Sequence, residues 1–249
     1  MRGWWQEIAG LVLPADCAGC GLPGAMLCAQ CRVVLCGRAP RRVWPDPVPD
    51  GLPPVHAAAP YGDAVRSVLL AHKERGALAL AEPLGAALAG AVRGAGGSGS
   101  ARGARARRGP FLLVPVPSAR RAVAGRGHDA GRRIALAAAR ALRGAGVPAQ
   151  VAAVLRLRRV VADQAGLDAR RRRANVSGAM GVAGGADRLW REGGPVVLVD
   201  DLMTTGASLT EAARAVSAAG GPILGAAVVA AAPRAFGSEP ELTGNVHRC

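Results

Sequence analysis

Val196-Val197-Leu198-Val199-Asp200-Asp201-Leu202-Met203-Thr204-Thr205-Gly206-Ala207-Ser208 is the stretch whose reading decides the fold. Four consecutive apolar residues, Val196 to Val199, predict a strand buried on both faces. Two adjacent carboxylates stand at its carboxyl end. A run of small and hydroxylated residues follows. Then Leu209 to Ala219 has helical spacing, closed by Gly220 and Gly221. In an open α/β sheet, ligands bind at the carboxyl edge of the strands. Backbone N–H groups of such a turn, with a helix N-terminus behind them, cradle an anion. Thr204, Thr205 and Ser208 add hydroxyl donors, and Gly206 lets the backbone approach closely. Acceptors for sugar hydroxyls therefore stand beside donors for a phosphate. The plain alternative is a strand–turn–helix with Ser/Thr capping, and the length of the pattern argues against it.

Working outward, strand and helix alternate. Val55 to Pro60, Phe111 to Val116, Val151 to Leu157 and Pro222 to Ala231 read as strands. Tyr61 to Lys73, Leu78 to Val92 and Gly131 to Arg143 read as helices, with Pro83 in the first turns of the second. This order predicts an α/β fold: a mostly parallel twisted sheet with helices on both faces. It spans residues 55–232, with 94–109 as a flexible Gly/Ser/Arg loop and 156–190 as an insert. Residues 41–54 are a Pro-rich connector, and the tail 233–249 is expected to be loose. No internal repeat is present.

The 249 residues carry a net charge of +15, but a single lysine, Lys73, stands among 32 basic residues. A GC-rich coding sequence gives this arginine and alanine bias without selection for charge. An anionic partner is the other reading, so basic clusters are judged by position. Aromatic residues make up only 3 %, and Trp4, Trp5, Trp44 and Trp190 are too scattered for a base-stacking platform. No apolar stretch is long enough to span a bilayer, and the N-terminus is a poor signal peptide. A cytoplasmic protein without membrane contact is the expectation.

Cys17-x2-Cys20-x7-Cys28-x2-Cys31 holds two C-x-x-C pairs. Without a secretory signal, that spacing points to tetrahedral zinc rather than disulfides. Four thiolates leave no open coordination position, so the role is structural. Residues 1–40 hold too little apolar mass to fold unaided. Cys36 reads as a spare thiol and Cys249 as an incidental terminus.

The segment 196–208 resembles the phosphoribosyl pyrophosphate (PRPP) signature of type I phosphoribosyltransferases. The resemblance assigns Asp200 and Asp201 to the ribose hydroxyls. Met203, Thr204, Thr205, Gly206, Ala207 and Ser208 go to the 5-phosphate. It also implies a second anion site for pyrophosphate, for which Pro117, Ser118, Arg120, Arg121 and Arg126 are the candidates; a solvated arginine surface is the competing reading. Displacing pyrophosphate develops positive charge on the ribose, which nearby carboxylates stabilise. The leaving group brings Mg²⁺.

A narrower resemblance is to the ComF family, named for a competence protein. It rests on the four cysteines; Tyr61-Gly62 with Lys73 and Gly76; Pro115-Val116-Pro117 with Arg126-Gly127; and Asp163 to Leu167 with Arg172, Asn175, Val176, Gly178 and Ala179. The chain departs from that family at His128-Asp129-Ala130, where Phe-Asn-Gln is usual, and at Met180, usually Phe. The resemblance implies that the insert is a hood, with Gln164, Arg172 and Asn175 near an acceptor or the pyrophosphate. The remainder of Arg170 to Arg173 reads as a solvated helix face. Two functions remain open: an enzyme moving phosphoribose between PRPP and a nitrogenous acceptor, or a non-catalytic PRPP-binding scaffold that engages DNA or a helicase partner in DNA uptake. Among the histidines, His56 is expected in a strand and His72 on a helix surface. His128, beside the basic loop, is the one worth testing.

Overall fold

The computed structural model describes residues 16–97, 109–159 and 174–237. The sheet is built outward from the strand Val196–Met203. Along it, Val197 and Val199 enter one core while Val196 and Leu198 enter the other. A strand buried on both faces needs apolar residues at every position, which is why its sequence does not alternate.

In chain order the strands are β1 (Arg41–Val43), β2 (Val55–Pro60), β3 (Phe111–Pro115), β4 (Ala149–Val151), β5 (Leu155–Leu157), β6 (Met180–Val182), β7 (Val196–Met203) and β8 (Ile223–Ala231). The helices are α1 (Ala29–Cys36), α2 (Asp63–Glu74), α3 (Ala81–Gly97), α4 (Arg120–Arg126), α5 (Ala130–Gly144), α6 (Ala186–Glu192) and α7 (Ala207–Ala218). Short 3₁₀ turns occupy Leu78–Leu80 and Pro233–Phe236. Six strands form the central sheet in the order β1-β2-β8-β7-β3-β4. β2, β8, β7, β3 and β4 run parallel, and β1 lies antiparallel on the edge. The expected α/β class, with a mostly parallel sheet flanked by helices, is what the chain forms.

One core holds residues of α2, α3 and α5, and Cys17, Leu27, Cys31 and Leu35 of the cysteine segment join it. The cysteine segment thus buries its few apolar residues against the sheet domain rather than in a core of its own. The other core holds Leu209, Ala212, Ala213 and Val216 of α7. With few aromatics, the core is filled by close helix contact. At Gly85 on α3, an added Cβ would lie 2.4 Å from the Ala137 Cβ on α5.

The strands depart from the sequence expectation in three places, the first being β1, which lies within residues 41–54 expected as a connector. The apolar run Val151 to Leu157 is not one strand. After β4, the Ala152 N–H donates to the Leu113 carbonyl and the Val154 N–H to the Ala152 carbonyl, which turns the chain off the sheet. β5 then pairs antiparallel with β6 in a separate two-stranded sheet. Continuous apolarity marks burial but does not mark a change of sheet. β7, in contrast, runs past Val199 to Met203, because its backbone keeps pairing with β8 as far as Ala231.

Candidate functional site

Parallel strands place their carboxyl ends on one edge, and three loops leave that edge together. One follows β7, one follows β3, and α2 descends from β2. The Val116 N–H donates to the Val199 carbonyl at 2.9 Å, joining the start of the β3 loop to the end of β7.

Asp200 and Asp201 sit within β7, on opposite sides of the pleat as neighbours must. Asp201 is 8 % exposed and Asp200 half-buried. The Asp201 N–H donates to Asp200 Oδ1 at 2.8 Å. The Lys73 ammonium, from the last turn of α2, donates to Asp201 Oδ2 at 2.6 Å. Burial, and then the charge of Asp201, push the Asp200 carboxyl well above the usual carboxylate range. Burial acts the same way on Asp201, but Lys73 outweighs it and holds that carboxyl below its ordinary value. Two adjacent carboxyls cannot both ionise cheaply; a single ammonium selects which one does.

The turn that follows is shorter than the sequence suggests. Met203 belongs to β7, with its side chain 1 % exposed in the core. Its carbonyl accepts from the Ala232 N–H. Ala207 and Ser208 already belong to α7. The turn proper is Thr204, Thr205 and Gly206. Gly206 has φ 74° and caps α7 without a side-chain bond to its first N–H groups. A Cβ there would lie 3.2 Å from Leu52 and 3.3 Å from Pro45. Glycine is therefore required by the left-handed backbone and by the proline-rich connector packed against it. Such a turn presents N–H donors to an anion while the carboxylates stand behind it as hydroxyl acceptors.

The β3 loop opens a cleft of ≈480 Å³ lined by Pro117, Ser118, Arg120, Arg132 and Arg156, among others. Arg120 and Arg121 open α4 and are exposed. Arg126 stands apart from them: its side chain is 11 % exposed and donates to Glu74 Oε1 at 2.9 Å. The five expected anion-site residues are thus not one cluster. Arg132 and Arg156 were not singled out in the sequence. They reach the cleft only because α5 and β5 fold beside the loop, a juxtaposition no local motif records.

Compared with models of known protein families and with curated proteins, the chain matches none.

Of the expected acceptor residues, Gln164 and Arg172 lie outside the described residues. Asn175 follows them in a helical turn before β6 and is half-buried. His72, expected on the surface, is fully buried. Its Nδ1 faces the Ala77 carbonyl at 3.2 Å and its Nε2 the Ala130 carbonyl at 3.4 Å. Helical periodicity places His72 near the inner face, but only the packing of α5 closes over it.

The sulfur atoms of Cys17, Cys20, Cys28 and Cys31 lie within 4.8 Å of one another, a donor set able to hold a metal such as zinc. The Cys28 N–H donates to Cys17 Sγ at 3.3 Å and the Cys31 N–H to Cys28 Sγ at 3.5 Å. Burial would raise the Cys17 thiol, but backbone N–H groups of Cys28, Cys20 and Gly19 bring it down to about 6. Burial and the neighbouring sulfurs push Cys31 far up. The four become thiolates together only beside a cation. A Cβ at Gly19 would meet Cys31 Sγ at 2.6 Å, so the first knuckle requires glycine at that position. Cys36 lies apart, with Sγ 3.6 Å from the Pro83 carbonyl.

Proposed function

We propose that this chain binds PRPP at the carboxyl end of β7 and transfers phosphoribose to or from a nitrogenous acceptor, as a ComF-type phosphoribosyltransferase. One observation carries the reading. Two adjacent carboxyls lie near the carboxyl end of the central strand, one of them paired with Lys73, and β7 then passes through a left-handed Gly206 turn into α7. Ribose hydroxyls would donate to Asp200 and Asp201. The 5-phosphate would take the N–H groups of Thr205 to Ser208 and the hydroxyls of Thr204, Thr205 and Ser208. As the bond from C1 to pyrophosphate lengthens, positive charge grows on the ribose, and the ionised Asp201 stabilises it. Pyrophosphate, carrying Mg²⁺ on its own oxygens, would leave toward Arg120 and the cleft above β3. The cysteine cluster would hold structural zinc, anchoring α1 against α2 and α3.

A second reading is favoured by the surface around that cleft. Arg120, Arg132 and Arg156 line it and are exposed, with Asp129 the acidic residue among the cleft's lining, and Arg121 and Arg133, next to two of them in sequence, are exposed as well. That patch suits a scaffold that binds PRPP and engages nucleic acid without turnover.

Calorimetric titration of Mg²⁺-PRPP into the metal-loaded protein tests both. Binding lost in the doubly substituted D200N/D201N protein is expected, followed by pyrophosphate release with at least one nitrogenous acceptor. Binding without release, together with nucleic-acid affinity that falls steeply with salt, selects the scaffold. No binding to folded wild type overturns the PRPP site.

A further inference from the structure

Three successive residues at the end of α2 point to three different fixed partners. His72 is sealed beneath α5, Lys73 reaches Asp201, and Glu74 accepts from Arg126. His72 also reaches the Ala77 carbonyl on its own side, but its partner across the interface, Ala130, and the partner of Glu74, Arg126, come from one segment, residues 126–130, which follows the basic loop. His128 strengthens that link. Its Nε2 lies 3.2 Å from the His72 carbonyl and its Nδ1 3.0 Å from the Arg126 carbonyl. The two imidazole rings meet edge to face, 5.9 Å between centroids. Residues 126–130 therefore grip the helix turn on either side of Lys73, the only lysine in a chain otherwise given over to arginine.

We infer that Lys73 is a positioning residue, an internal counter-cation that fixes the charge and aim of Asp201, and that the Arg126–His128 segment holds it in register. The consequence for catalysis rests on the ribose reading of Asp200 and Asp201. Chemistry supports a lysine here. A compact ammonium on a long stem makes one close contact, where a guanidinium fork would reach for two acceptors. Asp200 adjoins Asp201 on its own strand and accepts its N–H, and Lys73 faces Asp201 from α2. Behind Lys73 stand Glu74 and Arg126, then His72 and His128. Burial would lower the Lys73 ammonium, but Asp201 raises it, so the two groups support each other's charge. Held by Lys73 in this way, Asp201 would meet the ribose as an acceptor already ionised and aimed.

The unique lysine makes this testable. Reductive methylation with ¹³C-formaldehyde labels only Lys73 and the N-terminal amine and preserves charge. The pH titration of the Lys73 resonance is followed in the full-length, metal-loaded protein, after thermal melts confirm that each variant is folded. In wild type its midpoint is expected above that of free lysine. D201N should lower it by about one pH unit or more. H128A should lower it part of the way, and H128Q, which keeps a donor for the His72 carbonyl, should restore it. An unchanged midpoint in D201N overturns the pairing, and one unchanged in H128A overturns the grip. Mg²⁺-PRPP binding is then measured from about pH 4 to pH 8. K73M should bind about tenfold or more weakly. Its acid limb should lie at least about one pH unit higher, with K73R recovering part of both. An unmoved acid limb in K73M overturns the positioning role. Failure of wild type to bind PRPP overturns the ribose reading instead, and the lysine titration still decides whether Lys73 sets Asp201.

Discussion

Gly206 concentrates the demands of the site in one residue. Its φ of 74° is open to glycine and strained for any other residue. Leu52 and Pro45 also stand where a side chain would begin. Gly206→Ala is expected to cost about 1–2 kcal/mol in strain alone. More diagnostically, it should withdraw the turn's N–H groups from an anion. Chemical denaturation checks the first effect and phosphate or PRPP titration the second; a variant with wild-type affinity would remove the turn from the site. Asp200 and Asp201 make a similar point. Their adjacency is visible in the sequence, but what distinguishes them is the ammonium of Lys73 on Asp201, from 128 positions away in the chain.

At the scale of elements, the small sheet β5–β6 is tied to the helix that carries the turn. Glu211, on α7, is 4 % exposed and accepts the Met180 N–H at 2.9 Å. Arg214 donates to both Glu211 and the Met180 carbonyl. Burial would raise the Glu211 carboxyl, but Arg214 and the N–H groups of Met180 and Gly178 hold it below its ordinary value. Because the folded value is the lower one, its stabilisation is present above the unfolded pKa of about 4.3 and fades as pH falls through the folded value. Glu211→Gln should therefore flatten the acid-side loss of stability, measured by urea unfolding at a series of pH values. Glu211→Ala strands the Met180 N–H and should cost about 1–3 kcal/mol. An acid-side slope unchanged in Glu211→Gln would show that the buried carboxylate is not what fixes the β5–β6 sheet.

For the whole molecule, the cysteine segment is part of the core rather than an appendage. Leu27, Cys31 and Leu35 pack with Val65, Val68, Leu80 and Leu84 in one cluster. Removal of a metal from the cluster should therefore reach beyond the four cysteines. A chelator strong enough for zinc is expected to lower the main melting transition, not to abolish a separate small one. Each kcal/mol lost corresponds to about 2–4 °C for a chain of this size. Differential scanning calorimetry with and without chelator distinguishes the outcomes. A main transition that stays in place would mean that α1 folds apart from the sheet domain. Among the described residues no helix is long and apolar enough to cross a membrane.

What the sequence determined by itself is local and patterned. Unbroken apolarity from Val196 to Val199 meant a doubly covered strand. Cysteine spacing brought four sulfurs together, and Asp200 to Ser208 spelled out an acidic pair, a turn and a helix start. Each of these depends on residues within one turn or one strand, so propensity and periodicity suffice. Tertiary structure decided the rest. It split Val151 to Leu157 between two sheets, buried His72, and parted Arg126 from Arg120 and Arg121 by pairing it with Glu74. It also brought Lys73 to Asp201 and Arg132 and Arg156 to the β3 cleft. The physical reason is the same each time: charge state and burial depend on what packs across from a residue, and parallel strands bring together loops that lie far apart in the chain.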